Sequence, residues 1–268
     1  MRLLVLFKIV RDLDAVSQRE WREADAFDPD FSFIKKMVNV FDEAALETAL
    51  HVADAARGRG QSVRLTALTV CGNEDISTFT SHLYALKFDE VAVIRSPEDF
   101  RFNPLYPARL IAEYVRREGS FDLIFAGSQC GVGDNRQTPL ILSWMLDLPC
   151  VTQVTDVELE GNATVARSQI DGGARERRLT GPAVVAMGNA TRAYLRLSTL
   201  REKMAAKAKR CTELTPEDFG SPPAEQEGVL FKGLIRPETG RACRMIEGQD
   251  DAQKARHLFD AVLREVLL

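Results

Sequence analysis

The chain has 268 residues, room for one large domain or two small ones. With 45% hydrophobic and 28% charged residues it has the makings of a real core, which excludes disorder as its main state. The formal net charge is -4, so no overall positive field exists to attract nucleic acid or an anionic membrane.

Leu3 to Phe7 is a short, continuous apolar run, as expected of a central strand covered on both faces. It is too short for a signal peptide and lacks a cleavage site, and no stretch of about 18 apolar residues occurs, so the expectation is a cytoplasmic protein without membrane insertion. Arg11 to Lys36 is polar and irregular, a long excursion. Ala44, Leu46, Ala49, Leu50, Val52 and Ala53 then recur on a helical period, with Asn39 or Asp42 as cap and Gly58 and Gly60 as stops. Val63 to Val70 reads as a strand closed by Cys71-Gly72, Asp75 to Leu86 as a helix and Val91 to Ile94 as a strand. Asn103-Pro104 opens a helix to Arg117. Leu123 to Ala126 is a strand, 127–135 a polar loop, and Pro139 to Leu146 a helix. Val151 to Leu159, Thr164 to Ile170 and Arg175 to Leu179 predict a small antiparallel addition, and Ala183 to Met187 a last short strand. No apolar period covers Gly188 to Arg210. Gly220 to Gly248 is rich in Pro and Gly and reads as an extended arm; Asp251 to Leu268 carries a helical apolar stripe.

Strands alternating with helices predict an α/β fold with a doubly wound, mostly parallel sheet. Ligands of such sheets sit at the carboxyl ends of the strands. Phe7-Lys8, Cys71-Gly72 and 127–135 therefore share one rim.

On that rim the segment Gly131-Val132-Gly133-Asp134-Asn135-Arg136-Gln137-Thr138-Pro139 follows a strand and opens a helix. Two readings suit it. Backbone N–H groups at a helix start, flanked by glycines, make a phosphate cradle, with Thr138 as cap and Pro139 in the first turn; an ordinary capped turn would look the same. Likewise Asn39-Val40-Phe41-Asp42 is a cap or part of a rim site, and Lys8 a solvated charge or a ligand. Arg192, Arg196, Arg201, Lys203, Lys207, Lys209 and Arg210 against Glu202 make a basic run, with Leu195, Leu197, Leu200 and Met204 interleaved. That is a solvated face or a docking surface for an acidic partner. Cys71, Cys130, Cys150, Cys211 and Cys243 are widely spaced without a C-x-x-C pair, and the histidines are dispersed, so neither a disulfide framework nor a metal centre is expected. Nothing nominates a catalytic nucleophile or general base.

In order, these segments resemble the β subunit of electron transfer flavoproteins, the FixA-like family. The residues that carry the likeness are Leu3-Val5-Phe7-Lys8; Asn39-Val40-Phe41-Asp42-Glu43-Ala44-Ala45-Leu46-Glu47; Thr69-Val70-Cys71-Gly72; Gly127-Ser128-Gln129 with Gly133-Asp134 and Gln137-Thr138; Ile170-Asp171-Gly172-Gly173; Pro182-Ala183-Val184-Val185; and Ser198-Thr199-Leu200 ahead of Met204 to Lys209. Departures fall at Val40, Val132, Arg136, Pro139 and at Asn189-Ala190-Thr191-Arg192, where the family has Asn-Glu-Pro-Arg. The resemblance implies an adenine-nucleotide α-hydrolase-like domain over 1–210, with a partner-recognition loop at 188–210. It implies a C-terminal arm and helix over 211–268 that clasp an α subunit. It implies a carrier that makes and breaks no bonds itself, with a redox FAD held mainly by the α subunit. The chain's own nucleotide would be AMP, with a second FAD as the alternative. Leu6, Lys8, Asn39, Val40, Phe41, Asp42, Cys71, Val132, Gly133, Asp134, Asn135, Arg136, Gln137, Thr138 and Pro139 would line that nucleotide. Leu200, with Arg201, Lys203 and Lys207 as rim, would dock a dehydrogenase such as an acyl-CoA dehydrogenase.

Two rival classes remain at this stage. One is a stand-alone adenine-nucleotide binding or hydrolysing protein; within it the ATP pyrophosphatases are disfavoured because Phe7 leads into Lys8-Ile9-Val10-Arg11 rather than a Ser-Gly-Gly-x-Asp-Ser loop, and universal-stress-type binders because no G-x-x-G run precedes the last helix. The other is a structural partner subunit without nucleotide.

Overall fold

The computed structural model describes residues 1–17, 19, 32–98, 100, 102–131, 133, 136–161, 163–219, 240, 243 and 245–264. The chain divides into two compact units. The first comprises Met1–Ala24 and Pro29–Lys232, the second Asp25–Asp28 and Gly233–Leu268.

In the first unit, strands alternate with helices as the patterning predicts. The elements are β1 (Arg2–Leu6), β2 (Ile9–Arg11), β3 (Lys36–Val38), α1 (Val40–Gly58), β4 (Arg64–Cys71), α2 (Ser77–Ala85), β5 (Glu90–Arg95), α3 (Leu105–Glu118), β6 (Leu123–Gly127) and α4 (Thr138–Met145). They continue with β7 (Cys150–Glu160), β8 (Ala163–Ile170), β9 (Gly173–Leu179), β10 (Ala183–Met187), α5 (Leu200–Ala206) and β11 (Thr212–Leu214). Nine strands form one sheet in the order β11-β5-β4-β1-β6-β10-β7-β8-β9, and β2 pairs with β3 in a separate ribbon. Pairing is parallel from β11 through β7; β8 and β9 extend the same sheet antiparallel.

Side-chain parity along the strands builds two cores. Leu3, Val5, Leu65, Ala67, Cys71, Leu123, Phe125, Val185 and Met187 face α1 and α2, where Leu46, Ala49, Leu50 and Leu83 cover them. Leu4, Leu6, Leu68, Val70, Ile124, Ala126 and Val184 face α3 and α4, under Tyr106, Leu110, Ile111 and Leu142. Alternate residues of one strand therefore serve opposite layers, which is why these strands are apolar on both faces.

Three expectations are corrected. The α/β unit does not stop at residue 210: Thr212–Leu214 adds a parallel edge strand to β5, and the Arg117 guanidinium lies over the Phe219 ring, 5.9 Å from its centroid. The excursion 11–36 is not wholly irregular, because Arg11 pairs with Lys36 in the β2–β3 ribbon. A helix, α5, does form within 188–210; a reciprocal capping box between Thr199 and Glu202 holds its start.

The second unit contains α6 (Asp251–Leu258), capped by Asp250 Oδ1, which accepts from Gln253 N at 2.7 Å. The helix widens into a π-turn over Phe259–Leu263. None of its described residues is buried, and Leu258, Phe259, Val262 and Leu263 expose an apolar stripe.

Candidate functional site

The order β5-β4-β1-β6-β10 reverses direction between β1 and β6, because α1 leaves β1 on one face and α3 reaches β6 on the other. At the carboxyl ends of such a pair the two crossovers diverge and leave a crevice. A cleft of about 790 Å³, counting its mouth, opens there. Its floor is Leu6, Leu68, Val70 and Ala126, the residues whose parity turns them towards α3 and α4. One wall is the start of α3 (Asn103, Pro104, Pro107, Ile111); the other is Gly133, Arg136, Gln137, Thr138 and Pro139.

Of the residues expected from the sequence, Leu6, Lys8, Asn39, Asp42, Gly133, Arg136, Gln137, Thr138 and Pro139 meet at this cleft. Val132, Asp134 and Asn135 lie outside the described residues. Val40 is exposed on the first turn of α1, and neither it nor Phe41 lines the cleft. Cys71 does not reach it either: it has the parity of Ala67 and faces the α1–α2 layer. There burial pushes its thiol up to about 11, with the Arg95 guanidinium 3.4 Å from the sulfur acting in the opposite direction. The α3 wall was not anticipated; its only sequence signal is Asn103-Pro104. Asn103 Oδ1 accepts from Leu105 N at 3.1 Å and Tyr106 N at 3.3 Å, which starts α3 at Leu105.

Asp42 does not cap its helix. Its two oxygens accept from Lys8 N (2.9 Å) and Gly127 N (2.8 Å), so one carboxylate ties the ends of β1 and β6 to α1. Asn39 holds the cap position without a side-chain cap; its Nδ2 donates to Gln129 O at 2.9 Å. Burial pushes the Asp42 carboxyl up to about 6, against hydrogen bonds from Asn39, Gly127 and Lys8 that favour the anion. Gly127 is required for this closeness, since a Cβ there would stand 2.9 Å from Phe41 Cβ and 3.0 Å from Asp42 N, and would strike the Asp42 carboxylate. Thr138 is not the cap of α4: Gln137 holds that position, Thr138 is the first helical residue, and Pro139 follows within the first turn. Arg136 enters it in the left-handed region, φ 55°. The Ser128 hydroxyl, on the cleft wall, is buried and has no hydrogen-bond partner among the described residues.

The electron transfer flavoprotein domain matches residues 34–219. The chain is 32% identical over 267 residues, 99% of its length and 98% of the relative's, to the Escherichia coli protein named "Putative electron transfer flavoprotein subunit YgcR". It is also 26% identical to the electron transfer flavoprotein subunit beta of Bacillus subtilis, covering 85% of this chain and 86% of the relative. With the human subunit beta it shares 30% identity, over 70% and 71% of the two chains. The chain belongs to the electron transfer flavoprotein family. Membership gives it a role in flavin-linked electron transfer, as a carrier rather than a catalyst.

A second group of the residues singled out in the sequence lies along α1, in the segment 192–210. Of the cations in 192–210, Arg192 pairs with Asp156, and Arg196 pairs with Glu47 (2.8 Å) and Asp54 (2.6 Å). Leu195 is also half-buried against the core. Tyr194, Leu197, Leu200 and Met204 are the residues that stand out, with Leu197 90% and Leu200 76% exposed. Arg201, Lys203 and Lys207 surround them, exposed. The basic run is thus divided into inward clamps and an outward rim. Among the described residues no helix is long and apolar enough to cross a membrane.

Proposed function

We propose that this chain is the β subunit of an electron transfer flavoprotein, bound to an α subunit that holds most of the redox FAD. In this reading the β1–β6 cleft holds AMP and the Leu200 surface docks an electron-donating dehydrogenase. The observation that carries the reading is the cleft itself. It has an apolar floor for a flat base, donors at the start of α4, a cationic Arg136 on one wall, and a buried Ser128 hydroxyl without a partner among the described residues. These residues fit an adenine nucleotide. Arg136, Gln137 and Thr138 would hold the phosphate, and Asn39 and Asp42 would close the adenosine side. Pro139 removes one N–H at a position where helices tolerate the loss. The FAD supplies the exchange of electrons; this chain binds, orients and excludes water.

Leu200 and Met204 stand four residues apart on α5 and share a face. An apolar pair with a cationic rim suits a partner that presents an apolar pocket among carboxylates. Co-expression with an α subunit, denaturation of the purified pair and counting of the released cofactors tests the reading. One FAD and one AMP per heterodimer is expected. Two FAD, or FAD without AMP, overturns the assignment of AMP to this cleft.

A further inference from the structure

We propose that Glu43 and Glu47 are positioning residues that hold the docking segment in shape from the flank of α1. The proposal rests on the reading that the Leu200 surface docks a donor. Residues 188–199 form no helix or strand, yet they carry the exposed Tyr194 and Leu197 and lead into α5 with its exposed Leu200 and Met204, and these four must keep a fixed arrangement to fit a pocket. A segment of that kind needs its backbone N–H groups satisfied from outside. Two of them are satisfied by α1: Leu195 N donates to Glu43 Oε1 at 3.0 Å, and Arg196 N donates to Glu47 Oε2 at 2.9 Å.

The Arg196 side chain completes the clamp. Its Nε and one terminal nitrogen lie 2.9 and 2.8 Å from Glu47 Oε1, and its other terminal nitrogen is 2.6 Å from Asp54. Glu43, Glu47 and Asp54 are spaced by four and seven residues, so they form one stripe along α1. Glu47 is nine-tenths buried, which makes it a group that must be paired. The guanidinium fork matches the carboxylate in a way that a lysine ammonium cannot. Asp42, on the same helix, ties the strand ends at the cleft. A single rigid helix thus fixes both the cleft rim and the docking segment.

The test uses the full chain in its heterodimer, with an acyl-CoA dehydrogenase as electron donor. Glu47→Gln keeps the size but sets an amide against the guanidinium. Amide exchange at Leu195 and Arg196 is expected to become roughly tenfold faster, and the KM for the donor to rise by about the same factor with the rate at saturation unchanged. Arg196→Lys, on an exposed side chain that the core does not need, is expected to move both readouts in the same direction and by less. Unchanged exchange overturns the clamp. Faster exchange with unchanged KM overturns its role in docking while Leu200→Ala still raises KM. If Leu200→Ala leaves KM unchanged too, the docking reading fails, and this proposal with it.

Discussion

Asp42 serves as a strut because its carboxylate bridges backbone groups 34 and 85 residues away in sequence. In the sequence it is one acidic residue near a helix start, where a local cap is the natural reading; the partners that change its role are fixed by strand order. The same holds for Cys71, whose place in the motif suggests the cleft and whose parity turns it to the other layer. Two predictions belong here. Gly127→Ala forces backbone and Cβ atoms of α1 apart, so it is expected to destabilise the fold by about 1–3 kcal/mol and to lower nucleotide content, read by urea unfolding and cofactor counting. The Asp42 prediction concerns pH. Because burial lifts its carboxyl to about 6, the folded chain holds that proton more tightly than the unfolded chain. The stability drawn from this group is complete below about pH 4 and is lost as pH rises through 6. A displacement of about two units corresponds to about 3 kcal/mol. Relative to Asp42→Asn, the wild type is therefore expected to lose up to about 3 kcal/mol between pH 4 and pH 7 in urea unfolding at each pH.

At the scale of elements, what was legible is what the apolar period announces. The strands 123–127 and 183–187 and the helices at 40–58 and 105–118 fall close to where alternation and helical spacing place them. Helix α5 was not legible: of its seven residues only Ala206 is buried, so its sequence has no core-facing stripe, and its capping box is the one local signal. Strand β11 is three residues long with two of them exposed. Such elements take their structure from neighbours rather than from their own pattern. The exposure of α5 also decides how its variants should behave. Leu200 is outside the core, so Leu200→Ala is expected to change fold stability by no more than about 0.5 kcal/mol. If it is a docking anchor, the same change weakens donor affinity by about 2–4 kcal/mol, or about 30-fold to several hundred-fold. Electron transfer measured at subsaturating donor separates the two; equal rates in variant and wild type would remove Leu200 from the docking surface.

Across the whole molecule the two units differ in how they can be stabilised. Among the described residues, every member of the two buried clusters in the first unit lies between Leu3 and Leu214 of the edge strand β11, followed by the Phe219–Arg117 contact. The described part of the second unit buries nothing and exposes Leu258, Phe259, Val262 and Leu263 along one short helix. A stripe of that kind is stable only against another apolar surface, because a helix this short is marginal in water. The family reading gives that surface to the α subunit. Removing residues 221 to 268 is therefore expected to leave a chain that unfolds in one cooperative transition but no longer associates with its partner. Urea unfolding of the shortened chain tests the first half and co-purification from co-expressing cells the second. If the shortened chain co-purifies at full yield, the arm is not the clasp, and the interface must be sought on the first unit. If it fails to unfold cooperatively, residues beyond 220 supply part of the core, and the division of the chain into a self-sufficient domain and a clasp is wrong.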